Sequence, residues 1–322
     1  MADVSFDIGG GASDYSTLSA AEAAQEAVRP NLVSNDERLI FNMYAFDDTT
    51  AATIAGTWTT DSTRYILITS PSSERHSGTY STSKARMTNT AANCLTLTVN
   101  YTVVEWMQFS VSTANITCVT VNNDGCIVRN CIMRATDTNP QILLSMLNNC
   151  TIRNVLAYES GRHGFFFNGG TITCQNCTAA NCVRNGFWNL GATAVTITNC
   201  LGHSNGNGST LWDFVDDGAS MTPTYCSASD ASTELSSGTG NRQSQTFTFV
   251  DEANDNYALA STDAGARDLG TSLSGSFTDD CAGNTRSGTW DIGAFEYISA
   301  GRTTRNTRSA PLGVTVGMNW RM

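Results

Sequence analysis

The run Asp213-Phe-Val-Asp-Asp-Gly218 sets three carboxylates within a few positions of one another, directly after Trp212. Convergent carboxylates are the groups that hydrolyse glycosidic bonds, one protonating the leaving oxygen and another activating water. Trp212, Asp213, Asp216 and Asp217 also have the make-up of a sugar-contact surface, an aromatic face beside hydrogen-bond acceptors. Gly161-Arg-His-Gly164 adds a histidine, and Arg129, Arg153, Arg162 and Arg184 add cations that recur in pairs. The plainer reading is solvated turn carboxylates, a packed tryptophan and outward-facing arginines. The sequence therefore assigns no catalytic residue, and carbohydrate contact at Trp212, Asp213, Asp216 and Asp217 stands as an expectation.

Eleven cysteines, at 94, 118, 126, 131, 150, 174, 177, 182, 200, 226 and 281, are the other reactive set. Cys174-x-x-Cys177 with Cys182 has the look of a zinc half-site, but no second pair or histidine lies at ligand spacing. No metal and no cofactor is expected. The odd number points to reduced thiols that pack as small apolar groups.

The elements that must carry these residues are set by a repeat. Cys126-Ile-Val-Arg-Asn-Cys131, Cys150-Thr-Ile-Arg-Asn-Val155, Ile172-Thr-Cys-Gln-Asn-Cys177 and Val195-Thr-Ile-Thr-Asn-Cys200 superimpose, with starts 24, 22 and 23 residues apart. Positions one, three and six are apolar and position five is Asn. That period with strand-type alternation predicts the stacked coils of a right-handed parallel β-helix. Val128, Ile152, Cys174 and Ile197 form one inward column, and Asn130, Asn154, Asn176 and Asn199 form a ladder at a turn. Cys126 stacks on Cys150, and Cys131, Cys177 and Cys200 share another column. A second register aligns Gly164 with Gly186 and Phe165 with Phe187, so aromatic rings stack from coil to coil. Val104 falls above Val128 and Met107 above Cys131. Leu39–Tyr44, Tyr65–Thr69 and Leu95–Val99 read as the first strands.

One helical pattern precedes the coils. From Tyr15 to Pro30 the chain is Ala-rich, with Ser19 and Glu22 spaced as a capping box and Leu18 and Ala23 as a hydrophobic staple. A helix of about three turns there would cover the open end of the first coil.

Only 15% of the 322 residues are charged, with one lysine, Lys84, and a formal net charge of −11. The chain divides into 1–36, an N-terminal segment with the capping helix; 37–220, the coils; 221–297, loop-rich last coils and a β closing module; and 298–322, a tail. The stretch 221–246 is rich in Ser, Thr and Gly and reads as long loops of the kind that carry binding function.

Asp14-Tyr-Ser-Thr-Leu-Ser-Ala-Ala followed by coils resembles the pectate-lyase-like β-helix superfamily of bacteria and phages. The segments Tyr257–Ala266, Asp280-Cys-Ala-Gly-Asn-Thr-Arg286 and Trp290-Asp-Ile-Gly-Ala-Phe-Glu-Tyr297 resemble its closing module, spanning roughly residues 12–297 in all. The resemblance implies architecture alone, since lyases, hydrolases, adhesins and phage spikes share it. Its lyases need a basic group beside a uronate, and its hydrolases place histidine and R-I-K elements after the aspartates. Here His163 precedes Asp213 and no R-I-K occurs.

The tail carries Arg302, Arg305, Arg308 and Arg321 and no acid, leaving −15 on the rest of the chain. Leu312, Val314, Val316, Met318 and Trp320 alternate as one face of a strand that must pair with something. We read it, with Arg302, Arg305 and Arg308, as an assembly strand. No basic leader opens the chain, and no stretch is apolar enough to cross a membrane. The expectation is a non-catalytic phage virion protein, assembled in the host cytoplasm, not secreted by a signal peptide and displayed on head or tail. Its partners would be other virion proteins and itself, as a trimer, with no nucleic acid and no membrane insertion. A spike recognising host polysaccharide is the first alternative, and a carbohydrate-active enzyme the second.

Overall fold

A computed structural model describes residues 1–299 apart from 12, 137–140, 207–209 and 219. Three parallel sheets wind together as a β-solenoid of about eight turns. Sheet 1 begins with Ala2–Ile8 and Glu37–Met43 and ends with Met221–Thr224. Sheet 2 runs from Ala52–Ile54 to Phe214–Asp216, and sheet 3 from Asp47–Asp48 to Ser227–Ala228. Each coil visits sheet 1, then sheet 3, then sheet 2.

The inward columns follow the expected register. Val104, Val128, Ile152, Cys174 and Ile197 are successive partners on sheet 1, and all are fully buried. On sheet 2, Phe165 stacks on Phe187 at 4.6 Å between ring centroids, and Phe187 on Phe214 at 4.7 Å. Ring after ring on a 4.8 Å strand spacing turns the hydrophobic burial of single residues into a continuous core.

From the strand Thr102–Glu105 onward, sheet 1 passes to sheet 3 through a single residue in the left-handed region. Asn130, Asn154, Asn176 and Asn199 take φ of 53°, 50°, 50° and 54°, and Trp106 and Tyr225 hold the same place one coil before and after. Asn tolerates this conformation because its short amide can bond locally. All four amides are buried, so each must find partners.

Those partners come from the segment after the last coil, which corrects its expected position. It does not close the solenoid from behind; it runs back along the flank, over the turn ladder and sheet 3. Thr271 exchanges two hydrogen bonds with Asn199, donating N–H to Oδ1 and accepting from Nδ2, each 2.8 Å. Asn176 Nδ2 donates to the carbonyls of Asp291 and Gly293 at 3.1 and 3.2 Å. Asn154 Nδ2 donates to Asp279 O at 2.9 Å, and its Oδ1 accepts from Arg286 Nη2 at 3.1 Å. Asn130 Nδ2 reaches Asp279 Oδ2 at 2.7 Å. The Asn amides also bond each other, Asn199 to Asn176 and Asn154 to Asn130, but not across the middle pair, where Arg286 occupies Asn154 Oδ1.

The strip covers what sheet 3 leaves bare. Ile132, Leu156, Tyr158, Ala180 and Leu201 point outward from that sheet yet are buried under Phe247, Tyr257, Ile292, Ala294 and Phe295. Gly293, at φ 103°, lets the strip touch the coil; a Cβ there would sit 2.8 Å from Thr178 Oγ1.

Both ends are capped. The helix Leu18–Val28 lays Leu18 and Ala21 on the core of the first coil. Its N-cap is Thr17, whose hydroxyl accepts from Ala20 N at 3.2 Å, so Ser19 and Glu22 do not form the expected box. Glu22 turns instead to the solenoid, accepting from Ala55 N and Trp58 Nε1. Leu18 lies inside the helix and Ala23 is exposed, which removes the staple. The strand Ala2–Ile8, pairing in parallel with Glu37–Met43, had no reading in the sequence. At the far end, the Ser/Thr-rich stretch expected to form binding loops folds over the last coil and plugs it with Leu235.

Replacing Asn154 by Ala keeps the left-handed turn without the amide that supports it, and takes one of two acceptors from Arg286 Nη2 and one of two donors from Asp279 O. Equilibrium urea unfolding should show a loss of about 3 kcal/mol. Asn154→Gly should recover the backbone part only; equal losses in the two variants would show that the amide bonds, not the turn, set the cost. Arg286→Met, which abandons a buried Glu296 carboxylate 3.4 Å away, should cost about 3–5 kcal/mol.

Candidate functional site

The carboxylates after Trp212 do not converge on a free surface. Asp213 is fully buried at the corner entering sheet 2. Its Oδ1 accepts from Asn205 N at 3.2 Å and Nδ2 at 2.7 Å. Its Oδ2 accepts from Ser229 N at 2.7 Å, Ser229 Oγ at 2.9 Å and Asp230 N at 3.3 Å. This carboxylate ties the last coil to the end cap, and the expectation that it contacts sugar is corrected: burial gives it no face to a ligand. Asp216 is held by Asn189 Nδ2 at 2.6 Å and Met221 N at 2.7 Å. Trp212, half-buried, donates its backbone N–H to Asn185 Oδ1. Of the four residues only Asp217 is exposed, and it accepts from Trp188 Nε1 at 2.7 Å.

That contact leads to a face the sequence reading did not single out. Thr96, Thr120, Ser145, Phe166, Trp188 and Val215 are successive partners on sheet 2, in the register opposite to the inward phenylalanines. The column carries hydroxyls at Thr96, Thr120 and Ser145 and aromatic rings at Phe166 and Trp188, and ends on Val215. Phe166 and Trp188 lie 4.9 Å apart, with His163 stacked on Trp188 at 4.3 Å and the Arg162 guanidinium 6.0 Å from that ring. His163 Nδ1 accepts from Asn185 N at 3.3 Å, which places the proton on Nε2, and that buried Nε2 has no partner among the described residues. Burial, with Arg162 and Arg184 nearby, pushes the imidazole down to about 3, so it stays neutral. A half-exposed pair of rings beside an acceptor and a cation is a stacking surface, without the matched acid and base that hydrolysis requires. The signal for it lay in Phe165-Phe166-Phe167: alternation sends the middle residue outward.

The arginines separate as well. Arg129 pairs with Glu105 at 2.5 Å, Arg153 bonds Gln175 and lies near Phe277, and Arg184 is exposed. They form no continuous positive stripe. All eleven cysteines are buried free thiols, Cys126 pairing with Cys150 and Cys174 with Ile152 and Ile197 in the predicted columns, while Cys281 belongs to the flank strip. The fold brings Cys174, Cys177 and Cys200 within 4.8 Å of one another, adding Cys174 of the neighbouring inward column to the Cys177 and Cys200 stack read from the repeat. Burial drives Cys174 and Cys200 well above the ordinary thiol range, as suits a dry column. The assembly residues Leu312, Val314, Val316, Met318, Trp320, Arg302, Arg305 and Arg308 lie outside the described residues.

No protein-family model matches the chain, and no curated protein matches it. Among solved structures it is similar to the crystal structure of pectate lyase Pel9A, at 16% sequence identity and a TM-score of 0.44. The alignment covers 92% of this chain and 97% of that one. A likeness at that level assigns no activity.

Asp213 supplies a pH test. Burial, with the Asp230 charge beside it, raises its carboxyl to about 6 despite five hydrogen-bond donors. A carboxyl with a folded value above its unfolded one of 3.8 binds its proton more tightly when folded. Stability is then fully present below the unfolded value and is lost as pH rises through about 6, because the unfolded chain has already released the proton. Urea midpoints measured from pH 4 to pH 7 should fall across that window, and Asp213→Asn should flatten the slope. A midpoint that rises with pH in the wild-type protein would contradict the assignment.

Proposed function

We propose that this chain is a non-catalytic structural component of a phage virion, displayed on head or tail as a stiff rod and attached through its C-terminal segment. The observation that carries the reading is the flank strip, which bonds to four successive Asn turns and ties separate coils into one body. A solenoid otherwise opens coil by coil, because each repeat contacts only its neighbours. The carboxylates that stand close together are committed to that body. Asp280 accepts from Ala282 N, Asn284 N and Glu296 N, and Asp291 accepts from Asp268 N and Tyr297 N. Glu296 accepts from Ser287 N and Asp291 N. Groups so occupied stiffen a rod and are poorly placed to exchange protons with a substrate. Capped ends disfavour end-to-end growth, which leaves the tail with its Arg302, Arg305 and Arg308 as the proposed contact to sister subunits or other virion proteins.

Light scattering of the full-length chain beside a version ending after Tyr297 tests this. A trimer or larger assembly that becomes a folded monomer on truncation is the expected result; two folded monomers would remove the contact to sister subunits.

The outward pair Phe166 and Trp188 favours one second reading, recognition of host polysaccharide by stacking. Trp188→Ala should then abolish retention on a column of the host glycan while leaving the assembly mass unchanged.

A further inference from the structure

The corner between sheets 1 and 3 gathers three sulfurs at one level of the solenoid. Cys174 faces inward from the strand Thr171–Gln175, and Cys177 follows it across the left-handed turn at Asn176. One coil on, Thr198 pairs with Gln175 and Leu201 with Thr178, which puts Cys200 next to Cys177 in its column. The Cys174 and Cys200 Sγ atoms lie 3.7 Å apart, and all three sulfurs fall within 4.8 Å of one another. Cys177 N also donates to Cys200 Sγ at 3.4 Å, a bond that supports a coordinated thiolate. All three side chains are fully buried, and among the described residues no histidine or carboxylate joins the group. The preceding coil places Ile152 and Val155 at the two positions, so no sulfur adjoins Cys174 or Cys177 on that side.

We propose that Cys174, Cys177 and Cys200 bind one copper(I) ion in a trigonal site that clips two successive coils together. Thiolates select soft cations, copper(I) and zinc among them, and coordination number decides between the two. Structural zinc closes a tetrahedron of four donors. The next sulfur in the column, Cys226, stands two rungs from Cys177, about 9.6 Å at the strand spacing and too far for one ion to span. Full burial gives the site no solvent-facing side for a water in its place. Copper(I) needs only the three sulfurs. An ion about 2.3 Å from each, in their plane, sets them about 4 Å apart, a spacing they already approach. Each thiol proton that the ion displaces leaves for solvent, and displacement of one keeps the dry column neutral. Burial also means that the ion enters while the coils are open, so loading belongs to folding. The clip is independent of the attachment role, since metal content and assembly mass are separate readouts.

The test unfolds the full-length protein in urea under argon, refolds it with copper(I), and passes it over a chelating resin. About one copper per chain should be retained, with X-ray absorption showing sulfur ligands in a trigonal shell, and the urea midpoint should exceed that of the copper-free protein. Zinc(II) offered in the same way should be lost to the resin. Cys174→Ala and Cys200→Ala should each lower the retained copper about tenfold. Cys118→Ala, which removes a buried thiol elsewhere, should leave it unchanged. No retained copper, several coppers per chain, preferred retention of zinc, or full retention in Cys200→Ala would each overturn the proposal. Should a variant or the refolding step fail, wild-type protein made in copper-supplied cells decides alone. One copper in a trigonal sulfur shell then supports the site, and any other metal content or shell overturns it.

Discussion

Six successive coils turn from sheet 1 to sheet 3 on one left-handed residue, and four times running that residue is an asparagine with a buried amide. The rest of the molecule depends on this constraint. A backbone at positive φ admits few side chains, and a buried amide must be bonded on both its oxygen and its nitrogen. A ladder of amides alone cannot satisfy all of them. The chain therefore returns along its own flank, presenting carbonyls, an aspartate and a guanidinium to the turns in sequence.

The return segment has an electrostatic cost of its own. Arg286 is completely buried, and Glu296 nearly so, in a place where isolated charges are expensive. Five acceptors surround the guanidinium: the Asn154 oxygen, the carbonyls of Asp279, Asp291 and Gly293, and the Glu296 carboxylate. Desolvation raises Asp280, Asp291 and Glu296, opposed in each by backbone N–H donors and Arg286. Such a network contributes less to net stability than to position, since no other register of the strip pairs these groups. The carboxylates are structural for that reason.

The three outer faces consequently differ. Sheet 1 is bridged by cross-strand pairs such as Arg129–Glu105 and Arg38–Asp3. Sheet 2 stays open and changes from hydroxyls to aromatic rings along its length. Sheet 3 is sealed by the strip over its second half and open as a groove over its first. Among the described residues, the stacked pair Phe166 and Trp188 stands on the open face of sheet 2.

The sequence by itself determined the solenoid, the inward columns, the Asn turns, the Phe165 and Phe187 stack, the buried thiols and the existence of an N-terminal capping helix. All but the helix, which was legible from its Ala-rich run ended by Pro30, depend on periodicity, in which each coil restates the same local pattern and in-register stacking follows. What lies between non-repeating segments only the tertiary structure decided. The Asp280–Arg286 and Asp291–Tyr297 runs were visible as a module, but their place on the flank depends on partners 115 to 150 residues away. Thr17 displaced Ser19 as the cap because Glu22 found the Trp58 indole and the Ala55 amide in the solenoid. Asp213 read as a free carboxylate because its five donors come from segments on either side of it in sequence, gathered only by the closing of the last coil. A polar residue's role is set by what faces it, and sequence spacing carries that information only where the chain repeats.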